Sequence, residues 1–558
     1  MNTPNTILCP ICQDPVHKLL FRFHIDSEKA VLENIKKQYP EWHEYDGICS
    51  RCVDYYHTEI VMQQRLLPEV GPYFPVKSPD DFIILPTPIR IDADPRYTGK
   101  GITICFIDSG FFPHPDLVAS RNRIKLMLDL TAENPSTNKI EDDSADAYSN
   151  SQSRWHGTMT TVVCAGDGYC SKGLYRGIAC NAELVLLKVQ DREGRITTEN
   201  IIKALSWIQI NHRQYNIKVV NISLGDNKTS SFKDSAIDQL ADQLVKEGVV
   251  IVAAAGNDTN AAIKPPASSP NVITVGGLDD YNQLDTGEIG LYHSSYGQTE
   301  DGFRKPELVA QAIWIAAPIL PGTKEKEEAE TLHDLHNTAD EMFAKKFITL
   351  HKKINWDVSP FGEFDVTFLK QKIGERIQQT KFFSADYMHV DGTSFAAPIV
   401  SSVIAQLLEA DPTLTPPQIR NILFSTSTRL HSLPIERQGF GYVRPRKAIF
   451  KILKKEVIMT VHESPFINRR KKTIEFYIQN GCAHQISLSG SFNHWAQDVL
   501  LLEPGKDGKW KIEIPMLPKG KYYYKFFIDD RMWVEDVDNP WREPDGLNGW
   551  NSVLVVDK

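Results

Sequence analysis

Cysteine is scarce in this chain, nine residues in 558, and the number is odd. A disulfide-stapled secreted scaffold is therefore excluded; four of the nine fall into two Cys-x-x-Cys pairs, a spacing that suits a metal in a reducing compartment. Long apolar runs are missing as well. The longest, Val249 to Ala255, falls far short of the ~18 to 20 residues that span a bilayer. The opening segment has no basic region followed by an apolar one, so no secretory leader is expected. Basic charge is not in excess: Lys+Arg is 62 against Asp+Glu 71, for a net charge of −9. With no surplus of cations to neutralise phosphates, neither nucleic acid nor an anionic membrane is an expected partner. Repeats and low-complexity tracts are lacking too. What remains is ordinary globular composition, 41% hydrophobic and 24% charged, at a length that allows roughly three or four domains. A soluble, cytoplasmic protein is expected.

The chain divides into regimes. Residues 1–65 carry Cys9-x-x-Cys12 and Cys49-x-x-Cys52 around a helical-looking stretch from Ser27 to Tyr39. Four thiolates from two such knuckles can surround one zinc, which makes this a closed structural site rather than a catalytic one. The interval between the pairs exceeds the ~15 to 20 residues of a simple ribbon, and the helix could fill it. Residues 66–90 are Pro-punctuated and read as an extended linker. Residues 91–456 alternate buried-strand runs, such as Ile102 to Ile107, Val185 to Val189 and Val219 to Ser223, with helical patterns. That alternation predicts an α/β fold with a parallel sheet and flanking helices. Within it, residues 321–382 are rich in helix formers, and either a solvated pair of surface helices or a lid or partner-docking element fits them. Residues 465–558 turn to short alternating strands with aromatics, which predicts an all-β sandwich.

Three short segments of the α/β region carry chemistry. Asp108 ends the strand Ile104-Cys105-Phe106-Ile107-Asp108, His156 stands in Trp155-His156-Gly157-Thr158 at the expected start of a helix, and Ser394 stands in Gly392-Thr393-Ser394-Phe395 before an apolar helix. Acyl transfer needs a serine oxygen, an imidazole to take its proton and a buried carboxylate to hold the imidazole's tautomer. Strand C-termini and helix N-termini in a parallel α/β sheet converge on one crevice.

From Ile91 to Lys447 the chain resembles the subtilisin-like serine proteases. The resemblance includes Asp92 to Gly101, Val220 to Gly225, Ala253 to Asn257, Pro266 to Gly276, Lys305 to Ala310 and Gln438 to Val443, all in family order. It implies Asp108 as orienter, His156 as general base and then acid, Ser394 as nucleophile and Asn257 as an oxyanion donor, with no cofactor needed for catalysis. Ser223, Leu224 and Gly225 would form one wall of the pocket for the side chain preceding the scissile bond, and Ala254, Ala255 and Gly256 the other. The floor would include Lys264, where relatives often have glycine. An ammonium there favours an acidic side chain, whereas a lysine pointing to solvent leaves a pocket for medium apolar ones. The chain departs from the family at Met159-Thr160-Thr161, where a second histidine and small residues are common.

The segment from Thr473 to Asp557 resembles the glycogen-binding module of the AMP-activated kinase β subunit and the N-terminal modules of isoamylase-type enzymes, on LSGSFNHW, DGKW and LPKGKYYYKFFID. The resemblance implies an immunoglobulin-like sandwich and sugar contacts from Trp495, Lys525, Trp533, Leu547 and Asn551. Such modules also dock proteins, so α-glucan and a protein partner are both open. The leading expectation is an intracellular serine endopeptidase acting on protein or peptide; the alternative is an idle protease-fold scaffold that binds glucan or a partner.

Overall fold

The structure is a computed structural model. It describes residues 6–8, 15–17, 35–36, 39–43, 84–131, 151–226, 228–284, 289–356, 365–430, 433–453, 464–480, 483–505, 508–529, 532–536, 538–539, 541–545 and 550–556. Cys9, Cys12, Cys49 and Cys52 of the expected zinc module, and Leu547 of the expected sugar site, lie outside the described residues.

The centre of the molecule is a twisted parallel sheet. Its strands are β1 (Thr103–Asp108), β2 (Ile124–Asp129), β3 (Glu183–Lys188), β4 (Ile217–Ile222), β5 (Val250–Ala254), β6 (Ile273–Asp279) and β7 (Leu308–Gln311). They lie in the order β2-β3-β1-β4-β5-β6-β7, with Gly290–Leu291 added antiparallel on β6. β1 shows why this region must be a central strand. Every residue of Thr-Ile-Cys-Phe-Ile-Asp is buried; Ile104 and Phe106 enter the core on one face, Cys105 and Ile107 the core on the other. Two-residue alternation between two apolar layers is what a doubly covered parallel strand requires.

Helices cover both faces: α1 (Ser151–Ala165), α2 (Thr198–Asn211) and α3 (Ala236–Lys246), then, beyond an insertion, α7 (Thr393–Ala410), α8 (Pro416–Thr426) and α9 (Pro445–Leu453). α3 buries Ile237, Ala241, Leu244 and Val245 along one stripe, and the Ser235 side chain caps it by accepting from Asp238 N. α7 is long and apolar enough to cross a bilayer by composition alone, but it is buried in the core and packs on α1 and the sheet.

The insertion holds three helices, α4 (Lys324–His336), α5 (Asp340–Leu350) and α6 (Val366–Thr380), not a pair. They enclose a core of their own built from Leu332, Phe343, Phe347, Leu369 and Ile373. The hairpin of β8 (Ile315–Pro318) and β9 (Tyr387–Val390) forms its base and leads directly to Ser394. The expected linker differs at its end. Residues Thr87–Arg90 form a helical turn, and buried Arg90 pairs with Asp280 and donates to the Ile313 carbonyl at 2.9 Å, so this stretch belongs to the α/β body.

The C-terminal region consists of antiparallel strands in two sheets. One orders β10 (Phe466–Asn468), β11 (Thr473–Gln479), β14 (Lys509–Pro515) and β13 (Glu503–Pro504); the other orders β12 (Ile486–Gly490), β15 (Gly520–Ile528), β18 (Trp550–Val556) and β17 (Arg542–Pro544), with β16 (Met532–Val534) on β15. Ile474, Phe476, Leu488, Tyr524, Phe526 and Leu554 fill the space between them. This region rests on the α/β body. Phe303 packs on Phe466 with ring centroids 5.1 Å apart, and the Arg304 guanidinium lies 3.9 Å from the Trp541 ring centroid.

Candidate active site

The strand order reverses at β1, whose neighbours are β3 and β4, so a crevice opens at its carboxyl end. Asp108 is the last residue of β1 and is 1% exposed. Its Oδ1 accepts from the Ser109 N–H at 2.7 Å and lies 2.7 Å from His156 Nδ1. Thr160 Oγ1 lies 3.1 Å from Asp108 Oδ2 and 3.0 Å from the Gly157 carbonyl, one proton serving both. A carboxylate fixed in this way dictates that the imidazole carries its proton on Nδ1, leaving Nε2 as the basic nitrogen.

α1 begins at Ser151, earlier than the sequence indicates, so His156 lies inside the helix rather than at its start. Gly157 allows the close approach of α1 to β1: a Cβ there would stand 2.2 Å from the Gly110 carbonyl oxygen and 3.0 Å from Asp108 Cβ. Burial disfavours the imidazolium of His156, but the charge and hydrogen bond of Asp108 more than offset this, so His156 titrates above its ordinary 6.5.

Ser394 is the second residue of α7, where a backbone N–H has no intrahelical acceptor and the helix dipole favours negative charge. Its Oγ donates to the Ser223 carbonyl at 3.3 Å, and Ser223 Oγ donates to the Ser394 carbonyl at 2.9 Å. The segment after β4 is thereby tied to the helix start. Gly392, at φ +140°, occupies a conformation that side-chain-bearing residues avoid, and it turns the chain from β9 into α7.

Asn257 is held from one side. Its Oδ1 accepts from the Thr393 N–H at 2.9 Å and from Thr393 Oγ1 at 2.8 Å, while Thr393 Oγ1 accepts from the Gly256 N–H at 3.2 Å. With the amide oxygen committed, Nδ2 is the group left to face the crevice. Thr393, Thr160 and Ser109 are functional neighbours that sequence reasoning did not single out. Thr393 and Ser109 lie within the segments that flagged the site; Thr160 stood out only as part of a departure from the family pattern, and its bond to Asp108 becomes visible when α1 packs against β1.

The register Ile222 to Ala253 places Ser223-Leu224-Gly225 alongside Ala254-Ala255-Gly256 at the ends of β4 and β5. Lys264 lies beside the first of these segments: a Cβ on Gly225 would meet Lys264 Cβ at 3.9 Å and the Pro265 carbonyl oxygen at 3.2 Å. In the C-terminal region, Trp495 and Trp533 meet edge to face with centroids 6.0 Å apart, and Trp533 is 40% exposed. Lys525 Nζ pairs with Asp545 at 2.6 Å. Asn551 lies one step beyond the Tyr524–Ser552 pair, on the strand beside Lys525.

Carboxylate and imidazole are in contact at the end of the central strand, and the Ser394 hydroxyl follows them in chain order at the start of α7. The family model described as the subtilase family matches residues 99–443, more than half of the chain, and the chain belongs to that family. A second model, described as the glycogen recognition site of AMP-activated protein kinase, matches residues 474–558. The chain is 28% identical over 360 residues to serine protease AprX of Bacillus subtilis, covering 63% of this chain and 67% of that one. It is 27% identical over 198 residues to a cuticle-degrading serine protease of Arthrobotrys oligospora, 35% of this chain and 42% of that one. Among solved structures it is similar to an S41 psychrophilic protease at 20% identity, with a TM-score of 0.43 over 62% of this chain and 92% of that one. The family and its named relatives make the chain a serine endopeptidase acting on protein or peptide.

Proposed function

We propose that hydrolysis runs through Ser394, His156, Asp108 and Asn257. The observation that carries this reading is the 2.7 Å contact of His156 Nδ1 with buried Asp108 beside a serine at a helix N-terminus. Rotation about the Ser394 Cα–Cβ bond takes its hydroxyl from the Ser223 carbonyl towards His156 Nε2. His156 then accepts the proton as Oγ attacks the scissile carbonyl, and Asp108 stabilises the resulting imidazolium. Asn257 Nδ2 and the Ser394 N–H bind the oxyanion of the tetrahedral intermediate. His156 returns its proton to the leaving amine, the acyl-enzyme forms, and a water repeats the sequence to release the acid. Ser223 to Gly225 and Ala254 to Gly256 hold the substrate. A fluorophosphonate probe tests the reading: it should label wild-type protein and not Ser394→Ala, and an unlabelled wild type would favour the idle scaffold.

The C-terminal region serves, in the same reading, to dock the peptidase on α-glucan through Trp495, Trp533, Lys525, Asn551 and Leu547. The matched glycogen-recognition model and the pairing of half-buried Trp495 with exposed Trp533 support this, because aromatic faces suit the apolar faces of sugar rings. The N-terminal cysteines Cys9, Cys12, Cys49 and Cys52 would hold one structural zinc, as the paired Cys-x-x-Cys spacing favours. An intracellular setting accords with such thiolate ligands. Metal analysis of protein purified without chelator should return one zinc per chain, reduced in Cys9→Ser; a zinc-free wild type would remove the assignment.

A further inference from the structure

The proposed oxyanion donor is held at two levels. Thr393 fixes the Asn257 side chain through its oxygen. The Asn257 backbone is fixed by Ser295, which is 2% exposed and binds both chain neighbours of Asn257. The Ser295 N–H donates to the Gly256 carbonyl at 3.0 Å, and its Oγ donates to the Asp258 carbonyl at 2.8 Å. The approach is close, since a Cβ on Gly256 would stand 2.8 Å from Ser295 Oγ. A shift of Ser295 therefore carries residues 256–258 with it, and Asn257 Nδ2 moves with them.

Just beyond Ser295 the chain enters a small hairpin. Gly297–Gln298 pairs antiparallel with Arg304–Lys305, and the Thr299 N–H closes the turn by donating to the Phe303 carbonyl at 2.8 Å. A ladder this short does not hold itself. The returning strand is anchored in the α/β body, where the buried Lys305 ammonium donates to the carbonyls of Ser269 at 2.8 Å and Val272 at 2.9 Å. The turn and the outgoing strand, which is continuous with Ser295, are gripped by the C-terminal region. Arg469 donates to the Gln298 side chain, Phe466 packs on Phe303, and Trp541 lies against the Arg304 guanidinium. The turn meets β10 backbone to backbone, for a Cβ on Gly302 would stand 2.1 Å from the Ile467 carbonyl oxygen.

We infer that the C-terminal region braces the oxyanion donor: by clamping the 297–305 hairpin it fixes Ser295, and through Ser295 the Asn257 amide. Peptide hydrolysis then depends on a contact made outside the α/β body, and Ser295 is a positioning residue for it. The inference rests on the proposed role of Asn257 and adds the element that keeps it in place. A preorganised donor lowers the barrier only while it is aimed where the oxyanion forms. A misplacement of ~1 Å costs up to about 10²-fold in rate. Loss of the donor costs ~10²- to 10³-fold, a figure known from this family, and loosening the clamp acts on kcat within that ceiling. Asp108 and His156 are not on this path.

The test uses the full chain and a fluorogenic peptide. Phe466→Ala, which removes the C-terminal side of the clamp, should lower kcat about tenfold and change KM less than about twofold. The midpoint of the acid limb should stay where it is in wild type, because the imidazole and its carboxylate are untouched. Phe303→Ala should match it, since it empties the same contact from the other side, and Phe466→Leu, which keeps an apolar contact, should recover most of the rate. In an Asn257→Ala background Phe466→Ala should cost little further, because the group it positions is gone. Wild-type kcat in Phe466→Ala, or losses that multiply with that of Asn257→Ala, overturns the brace while leaving the oxyanion reading standing. A fall in kcat accompanied by a shifted midpoint also overturns it, since the triad would then be what moved. Unchanged kcat in Asn257→Ala alone overturns the oxyanion reading, and the brace with it.

Discussion

The hydrolytic crevice and the tryptophan platform of the C-terminal region solve opposite problems. In the crevice the proposed reactive groups are anchored by polar bonds: Asp108, 1% exposed, lies 2.7 Å from His156 Nδ1, and the Asn257 oxygen accepts twice from Thr393. On the platform, Trp533 is 40% exposed and is positioned by ring packing, against Trp495 and against Phe527 at 4.7 Å. Lys525 is already neutralised by Asp545. A reaction needs atoms held in place before substrate arrives, because reorganisation would raise the barrier. A recognition face needs exposed area and tolerates looser positioning. Substitutions should therefore act on rate in the first region and on residence in the second.

The widest separation is expected for the triad. Ser394→Ala or His156→Ala should lower kcat by ~10⁴- to 10⁶-fold, a range measured in this enzyme family, while glucan binding is unchanged. A fluorogenic peptide assay checks the first quantity and glycogen co-sedimentation the second; a variant that lost both would collapse the comparison. Asn257→Ala follows at ~10²- to 10³-fold in kcat with KM nearly constant, again a magnitude known from this family rather than derived from the geometry. A rise in KM alone would mean that Asn257 contacts bound substrate rather than the oxyanion.

The pH profile sharpens the same contrast. Because His156 titrates above 6.5 in the folded protein, its base form is lost as pH falls through that raised value. kcat/KM for an uncharged peptide should therefore drop about tenfold per unit on an acid limb whose midpoint lies above 6.5, with glucan binding flat across the same range. A midpoint below 6.5 would show that Asp108 does not stabilise the imidazolium as the geometry requires. The smallest effect belongs to the platform: Trp533→Ala should weaken α-glucan binding about tenfold, ~1.4 kcal/mol, without altering peptide hydrolysis. Equal retention of wild type and variant on glycogen would point to a protein partner.

The sheet was legible because its signals are local, and the residues of the proposed triad were picked out in the same way. A fully buried strand such as Thr103–Asp108 announces itself by composition, and Asp108, His156 and Ser394 each sit in a short distinctive segment. What was not legible depends on packing between distant segments. Thr160 bears on Asp108 across 52 positions, and Thr393 on Asn257 across 136. The three-helix insertion was half visible: its helix formers are plain, but its separate core required Phe343, Phe347 and Leu369 to be brought together. The turn Thr87–Arg90 was hidden by its prolines, which mark a linker by density, yet Pro88 sits in the first turn of a helix, where proline is well tolerated.

Trp155, the residue before the base, packs in both the main core and the insertion's core, and its indole N–H donates to the Pro318 carbonyl at 3.0 Å. In evolutionary terms the insertion is therefore not a free appendage. Trimming it would uncover the indole beside His156, so the volume at position 155 and the length of the 321–382 segment are expected to drift together among relatives.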